Sequence, residues 1–250
     1  MNDPLLSRIE DASLNASAPP EQRWLDGWLM RFNPGKAKRA RCINAVADGR
    51  LPLQERLHWA QEAYREAGLP LILRFTPFTA PESLEAAVES RGWRRFDDTR
   101  VMTWHAYTAP STPEIAPQAV TPLEYAEIVG ALRGSPMAQR MAHARRLLAS
   151  PVPYHGFVVK DGATVLACGQ YAAEADLVGL YDVFTAPAAR GQGLARQLCS
   201  WLLARAAEQG ARHAYLQVEG DNAAARAVYH GLGFADAYAY HYRTPEAGEV

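Results

Sequence analysis

The stretch Val183 to Ala195, Val-Phe-Thr-Ala-Pro-Ala-Ala-Arg-Gly-Gln-Gly-Leu-Ala, constrains this chain more than any other. An apolar strand runs through Pro187 into an Arg-Gly-x-Gly-x-Ala turn and directly on into a helix. Such a turn presents several backbone N–H groups to one anion at the positive end of a helix. Glycine's missing Cβ lets backbone and phosphate approach closely. A phosphorylated ligand is therefore expected at this turn.

At 250 residues the chain accommodates one large domain or two small ones, each with its own core. A hydrophobic share of 48% against 21% charged residues reads as globular rather than disordered. The net charge of −1 gives no reason to expect nucleic acid or an anionic membrane as partner. No apolar run approaches the roughly 20 residues that span a bilayer. The opening Met-Asn-Asp-Pro-Leu-Leu-Ser-Arg has no basic region followed by an apolar core, so no secretory signal is expected. Cys42, Cys168 and Cys199 are far apart and form no CxxC or Cys/His cluster. No metal site or disulfide framework is expected, and the usage fits a cytoplasmic, reducing compartment. Each cysteine reads as a buried small hydrophobe, with a reactive thiol as the lesser alternative.

Residues 108–120 lie in a stretch with four prolines and few large apolar groups, and are the linker candidate between 1–107 and 121–250. In the second half the pattern predicts helices over 121–133 and 135–150, with Thr121 and Ser135 as N-caps. Strands are predicted over 154–160 and 164–172 around the Asp161-Gly162 turn, then over 177–185 before the glycine turn. A helix over 194–209, a strand over 213–218, a helix over 222–230 and a strand over 236–243 complete it. The first half predicts a helix over 4–15, strands over 28–33 and 39–46, a helix over 53–67, a strand over 71–75, a helix over 81–90 and a strand over 94–105. Both halves end strand, helix, strand, helix, strand. Ala87–Trp93 also resembles Val228–Phe234 when their Gly-aromatic pairs are superposed. The pattern reads as a degenerate internal duplication, against the plainer reading that any glycine-ended helix before an aromatic strand looks alike.

Three phosphate-binding patterns compete for the turn. The Walker string GxxxxGK[ST] is absent, and the dinucleotide pattern GxGxx[GA] fails because Arg196 stands where its last small residue belongs. The pattern [RQ]xxGx[GA] is met by Arg190, Gly193 and Ala195. It resembles the pyrophosphate loop of the GNAT superfamily, the Gcn5-related N-acetyltransferases. One strand and one helix further on, Asn222, Ala225, Tyr229, Gly233 and Phe234 fill the family's Asn-x-x-Ala-x-x-x-Tyr-x-x-x-Gly-Phe frame without a gap. The resemblance covers 121–243 and implies an α/β fold with a mixed sheet, a tandem GNAT-like architecture whose N-terminal half is degenerate.

The resemblance implies an enzyme that moves an acetyl group from acetyl-CoA to an amine, most simply of a small molecule, by direct attack in a ternary complex. The backbone amides of Gly191, Gln192, Gly193, Leu194 and Ala195 would converge on the pyrophosphate. Arg190 and Arg196 would add charge-assisted contacts or else be a solvated helix end. By resemblance, the backbone of Val183, Phe184 and Thr185 would hold the pantetheine arm like an added strand, and one of its N–H groups would stabilise the oxyanion. Tyr229 matches the tyrosine that protonates the departing sulfur; packing on the sheet is its plain alternative. Asn222 would bond the pantetheine amides, cap its own helix, or both. For the general base, Asp182 stands first and Glu219 second, each equally readable as a solvated strand end. His155 and His213 are weaker candidates. The rival reading is a non-catalytic acyl-CoA-binding or partner-docking pseudo-acetyltransferase.

Superposing Gly92 on Gly233 puts Val88 opposite Tyr229 and Pro81 opposite Asn222, and the turn Ala47–Pro52 lacks the phosphate pattern. The first half is therefore expected to bind no CoA and to wall the acceptor cleft. Its Lys36, Lys38, Arg39 and Arg41 are either a contact for an acidic acceptor or a solvated hairpin.

Overall fold

The repeated ending of the two halves is present in the computed structural model, which describes residues 3–111 and 113–245. In the first half it comprises β3 (Ile43–Ala45), α2 (Leu53–Glu66), β4 (Leu73–Phe75), α3 (Leu84–Glu89) and β5 (Arg94–Trp104). In the second it comprises β9 (Leu177–Thr185), α6 (Leu194–Glu208), β10 (His213–Glu219), α7 (Ala223–Leu232) and β11 (Ala235–Thr244). Ahead of the first series stand α1 (Pro4–Ala16), β1 (Glu21–Leu25) and β2 (Trp28–Phe32). Ahead of the second stand β6 (Gln118–Val120), α4 (Pro122–Leu132), α5 (Met137–Ala149), β7 (Tyr154–Asp161) and β8 (Thr164–Glu174).

All strands join one mixed sheet in the order β1-β2-β3-β4-β11-β5-β10-β9-β8-β7-β6. The last strands of the halves are exchanged in space. β5 lies between β10 and β11, and β11 lies between β4 and β5. Each half therefore has an interior strand from the other, and backbone hydrogen bonds carry the sheet through the boundary between them. Residues 108–120 are not wholly linker, because Gln118–Val120 pairs with β7.

Alternation along the strands assigns the two faces. On one face α1, α4 and α5 cover Cys42, Ile72, Val101, Tyr181, Tyr215, Tyr238, Tyr240 and Tyr242. On the other, α6 and α7 pack on Met102, Leu180 and Leu216, while α2 and α3 pack on Ile43, Leu73 and Phe75.

Several boundaries differ from expectation for local reasons. The expected strand 39–46 is shortened to Ile43–Ala45, because Lys38–Ala40 forms a single 3-10 turn. β1 was not expected. Its residues are mostly solvent-exposed, so they carry no apolar alternation, and the Asp26-Gly27 turn with both φ positive closes it on β2. Thr121 caps α4 through a capping box with Glu124, as its position predicts. Ser135 caps nothing: α5 begins after Pro136, whose fixed φ sets the helix start. The helix expected over 81–90 is trimmed to Leu84–Glu89.

Candidate active site

β9 and β10 are parallel neighbours only from His213↔Leu177 to Leu216↔Leu180. Beyond that register β10 stays paired to β5 as far as Glu219, while Tyr181–Thr185 of β9 loses its neighbour on that side. The sheet therefore opens into a cleft whose wall is an unpaired strand edge. Ala186 N–H donates back to Leu166 on β8, so by alternation the N–H groups of Val183 and Thr185 face the opening. Thr185 Oγ1 is buried beside this edge without a hydrogen-bond partner.

A bulge shapes the same edge. Cys168 pairs with Phe184 and Gln170 with Tyr181, so Asp182 and Val183 oppose one residue of β8. Asp182 adopts φ +50°, the left-handed region uncommon for a non-glycine residue. Tyr125 of α4 braces the bulge by donating its hydroxyl to the Asp182 carbonyl at 2.9 Å. The Asp182 side chain turns to the α4/α5 side, where Arg133 Nη1 donates to Oδ1 at 2.8 Å and Gln170 Nε2 to Oδ2 at 3.0 Å. His143 Nε2 of α5 is 3.3 Å from Oδ2, at ion-pair distance but outside hydrogen-bond alignment. Burial works to raise the Asp182 pKa, but His143, Arg133 and Arg146 outweigh it and hold the carboxyl well below the usual range.

At the mouth of the cleft the chain turns from Ala186 into α6. Gly191 and Gly193 sit at φ +76° and +75°, the conformation only glycine adopts without strain. No hydrogen bond within the described residues uses the N–H groups of residues 191 through 196, and the first turn of α6 has neither a side-chain cap nor an acidic residue. These donors and the helix dipole together make an anion cradle. Arg190 Nε leans back on the Thr185 carbonyl at 3.4 Å with its guanidinium over Phe184, and Arg196 reaches no carboxylate among the described residues. Gln192 is exposed, and Leu194 and Ala195 are half-buried.

Asn222 caps α7 by accepting the Ala225 N–H at 3.1 Å, which meets its structural expectation and leaves its amide nitrogen without a partner in the described residues. Tyr229, one face of the same helix further on, packs its ring edge-on against Phe234. Its hydroxyl makes no hydrogen bond within the described residues. Burial pushes its pKa far above that of an ordinary phenol, with the charge of Arg133 opposing the shift, so it is protonated throughout the neutral range.

The expected site residues fall into two groups. Asp182 and Val183–Thr185 lie on the freed edge of β9 and Arg190–Arg196 at the turn that follows it, while Asn222 caps α7 and Tyr229 packs in the same apolar cluster as Val183 and Leu194. Glu219 does not join them. It is exposed at the end of β10, beside Asp97, Asp98 and Asp221 in a cavity of about 640 Å³. His155 is exposed and stacks on Tyr171, while His213 accepts the Ala106 N–H. His143 was not anticipated. Its only sequence signal is its helical spacing from Arg146 and Leu147 on the buried face of α5, which does not reveal the carboxylate it faces.

The first half has no free counterpart of the cradle. The turn before α2 already holds an anion of its own: Asp26 accepts the N–H of Arg50 at 2.9 Å and of Leu51 at 2.7 Å. A Cβ on Gly49 would stand 2.4 Å from that carboxylate. β3 and β4 also part after Asn44↔Arg74, but the gap is bridged by Ala80 N–H donating to Ala45 and by Glu10 of α1, which holds Arg74. Val88, opposite Tyr229, is fully buried.

A family model described as "Probable histone acetyltransferase Rv0428c C-terminal" matches residues 6–243. YobR of Bacillus subtilis (strain 168), described as an uncharacterized N-acetyltransferase, is 26% identical over 232 residues, covering 89% of this chain and 91% of that protein. A GCN5-related N-acetyltransferase from Kribbella flavida superposes with a TM-score of 0.70 over 97% of this chain and 96% of that one, at 15% identity. A tandem GNAT protein from the clavulanic acid biosynthesis pathway superposes at 0.60, covering 79% of this chain and 70% of that one at 17% identity. Among the described residues no helix is long and apolar enough to cross a membrane, and no His/Cys/Asp/Glu group is arranged to hold a metal.

Proposed function

Because the chain belongs to the GNAT superfamily, in the family described as probable histone acetyltransferase Rv0428c C-terminal, we propose that it transfers an acetyl group from acetyl-CoA to an amine of a small molecule, using one site in its second half. The observation that carries this reading is that an unpaired strand edge runs directly into a turn whose amide donors no protein group among the described residues uses. The cradle, residues 191 through 196, fits a pyrophosphate with Arg190 and Arg196 flanking it. The edge offers the N–H groups of Val183 and Thr185 to an extended pantetheine amide chain, in the manner of an added strand, and to the thioester carbonyl.

Transfer forms a C–N bond, breaks the C–S bond and moves two protons. Tyr229 gives its proton to the departing sulfur; its phenol is held protonated and its hydroxyl has no competing partner. His143 accepts the proton lost by the attacking amine, directly or through water. Asp182 is better suited to facing the positive charge that forms on His143, 3.3 Å away, than to acting as the base itself, because Arg133 and Gln170 already occupy it and its pKa is low. Glu219 has no such pairing and takes no part.

The test is CoA-thiol release from acetyl-CoA across a broad panel of small amines, with calorimetric titration of acetyl-CoA in parallel. Amine-dependent thiol release supports the reading. Tight binding of acetyl-CoA without release from any amine would replace it with a CoA-binding module.

A further inference from the structure

The hairpin loop between β2 and β3, contributed by the first half, leans over the second half's cleft. A Cβ at Gly35 would lie 3.5 Å from Cβ of Ala142, the residue before His143. The loop's four cations have distinct environments. Lys36 is exposed, and Lys38 is paired with Asp97 at 2.6 Å over the ring of Phe96. Arg41 is half-buried, and burial lowers its pKa. Arg39 projects inward. Its guanidinium stands 5.9 Å from the ring centre of Tyr181, the residue at which β9 loses its neighbour.

Arg39 donates no hydrogen bond within the described residues, and its Nη1 is buried without a partner. The nearby carboxylates are already engaged. Glu10 grips Arg74 through both oxygens and accepts the Tyr238 hydroxyl at 2.7 Å. Asp182 is held by Arg133 and Gln170. The same face also buries Arg31 and Arg146, whose hydrogen bonds go only to neutral oxygens. The cleft face thus carries positive charge beyond what its own carboxylates balance. Arg39 is half-buried with Nη1 enclosed, and a guanidinium nitrogen enclosed without a partner is costly unless something else supplies the acceptor. Around it are neutral groups of high hydrogen-bonding capacity: the Tyr181 and Tyr215 hydroxyls bonded to each other at 2.7 Å, and Gln217, which accepts from Tyr240 and leaves its own Nε2 buried and unpartnered.

We infer that Arg39 receives a carboxylate carried by the acceptor, with Gln217 Nε2 as a second donor, so that the acceptor is an amine bearing an anionic group rather than a cationic peptide. This rests on the transferase reading for the identity of the acceptor. A guanidinium reads a carboxylate through two parallel N–H bonds, and the first half's contribution to the cleft becomes selectivity as well as enclosure. The surplus positive charge also opposes a lysine-rich acceptor.

The experiment compares matched acceptors: α-amino and ω-amino acids against the amines left by their decarboxylation, with a lysine-rich peptide as a third class. Wild type, Arg39→Gln and the charge-preserving Arg39→Lys are assayed. Wild type is expected to prefer carboxylated acceptors at least about ten-fold in kcat/KM, as hydrogen bonds to a charged group warrant. Arg39→Gln is expected to abolish that preference through KM, leaving acetyl-CoA affinity and the decarboxylated amines unchanged, with Arg39→Lys retaining part of it. Absence of preference in wild type, its survival in Arg39→Gln, or selection of the peptide would each overturn the assignment. If no amine is acetylated, the transferase reading fails separately. Calorimetric binding of N-acetylated amino acids to the CoA-loaded protein then decides: binding lost in Arg39→Gln supports the carboxylate site, and binding absent or unaltered overturns it. Equal melting temperatures for the variants separate these outcomes from misfolding.

Discussion

Replacing Tyr229 with Phe removes one oxygen atom from the proposed site and little else. The ring contact with Phe234 is kept, and the hydroxyl makes no hydrogen bond among the described residues that the substitution would remove. Stability is therefore expected to change by about 0.5 kcal/mol or less, about 2 °C at most in melting temperature for a chain of this size. Acetyl-CoA affinity is expected to be nearly unchanged, because the cradle and the strand edge are main chain. Turnover is the quantity that moves. Burial holds the phenol protonated across the neutral range, so the proton is in place when the thiolate forms, while the raised pKa makes the phenol a weaker acid than a free one toward a thiol of reference pKa about 8.5. Loss of a positioned general acid is expected to lower kcat about 10²- to 10⁴-fold, or about 3 to 5 kcal/mol of barrier at 1.36 kcal/mol per decade. The assay is steady-state thiol release with a reactive amine, alongside calorimetry and a thermal melt. A kcat within two-fold of wild type, with acetyl-CoA binding intact, would show that the sulfur is protonated by another group and that the free hydroxyl is incidental.

Three further substitutions probe the rest of the proposed site and its first-half counterpart. His143→Gln is expected to lower kcat at least about ten-fold without changing acetyl-CoA affinity, and Asp182→Asn to lower it as well while also loosening Arg133; equal rates in His143→Gln and wild type would return the base to water or another group. Asp26→Ala empties the first-half turn of its own carboxylate, and is expected to lower the melting temperature while calorimetry still counts one CoA per chain. The pH dependence follows from the N–H groups of Arg50 and Leu51, which hold the Asp26 pKa below its usual value. Its contribution is complete above the ordinary aspartate range and is lost as pH falls through the lowered folded value. The two proteins should therefore differ more in melting temperature at pH 7 than at pH 3; an equal gap at both would refute the account of the plugged turn, and a second CoA bound would refute the expectation that the first half lacks a CoA site even when its turn is emptied.

The features legible in the sequence are those fixed by a few consecutive residues. The Gly191–Gly193 turn is a backbone conformation that local composition dictates. Asn222 opens its helix as a cap because a short polar side chain can bond the N–H three residues on. Tyr229 follows at fixed helical spacing from Asn222, so the frame Asn222 to Phe234 carries its own geometry. The internal duplication was legible for the same reason, as a repeated order of local elements. Tertiary structure decided the remainder, because each of those features joins segments far apart in the chain. β5 and β11 exchange places through strand pairing, and neither sequence announces its neighbour. Asp182 reads as an exposed strand end until the bulge turns it toward Arg133 and His143, 49 and 39 residues away. Asp26 disables the first-half turn from 24 residues upstream. Arg39 reads equally as a solvated hairpin cation, and only the packing of its loop against α5 places it over Tyr181, where the sheet opens. Backbone torsions and caps are set by short-range sterics, whereas the partner of a buried charge is set by strand register and packing. The residues of the proposed donor end were thus written locally, and those of the proposed acceptor end were assembled by the fold.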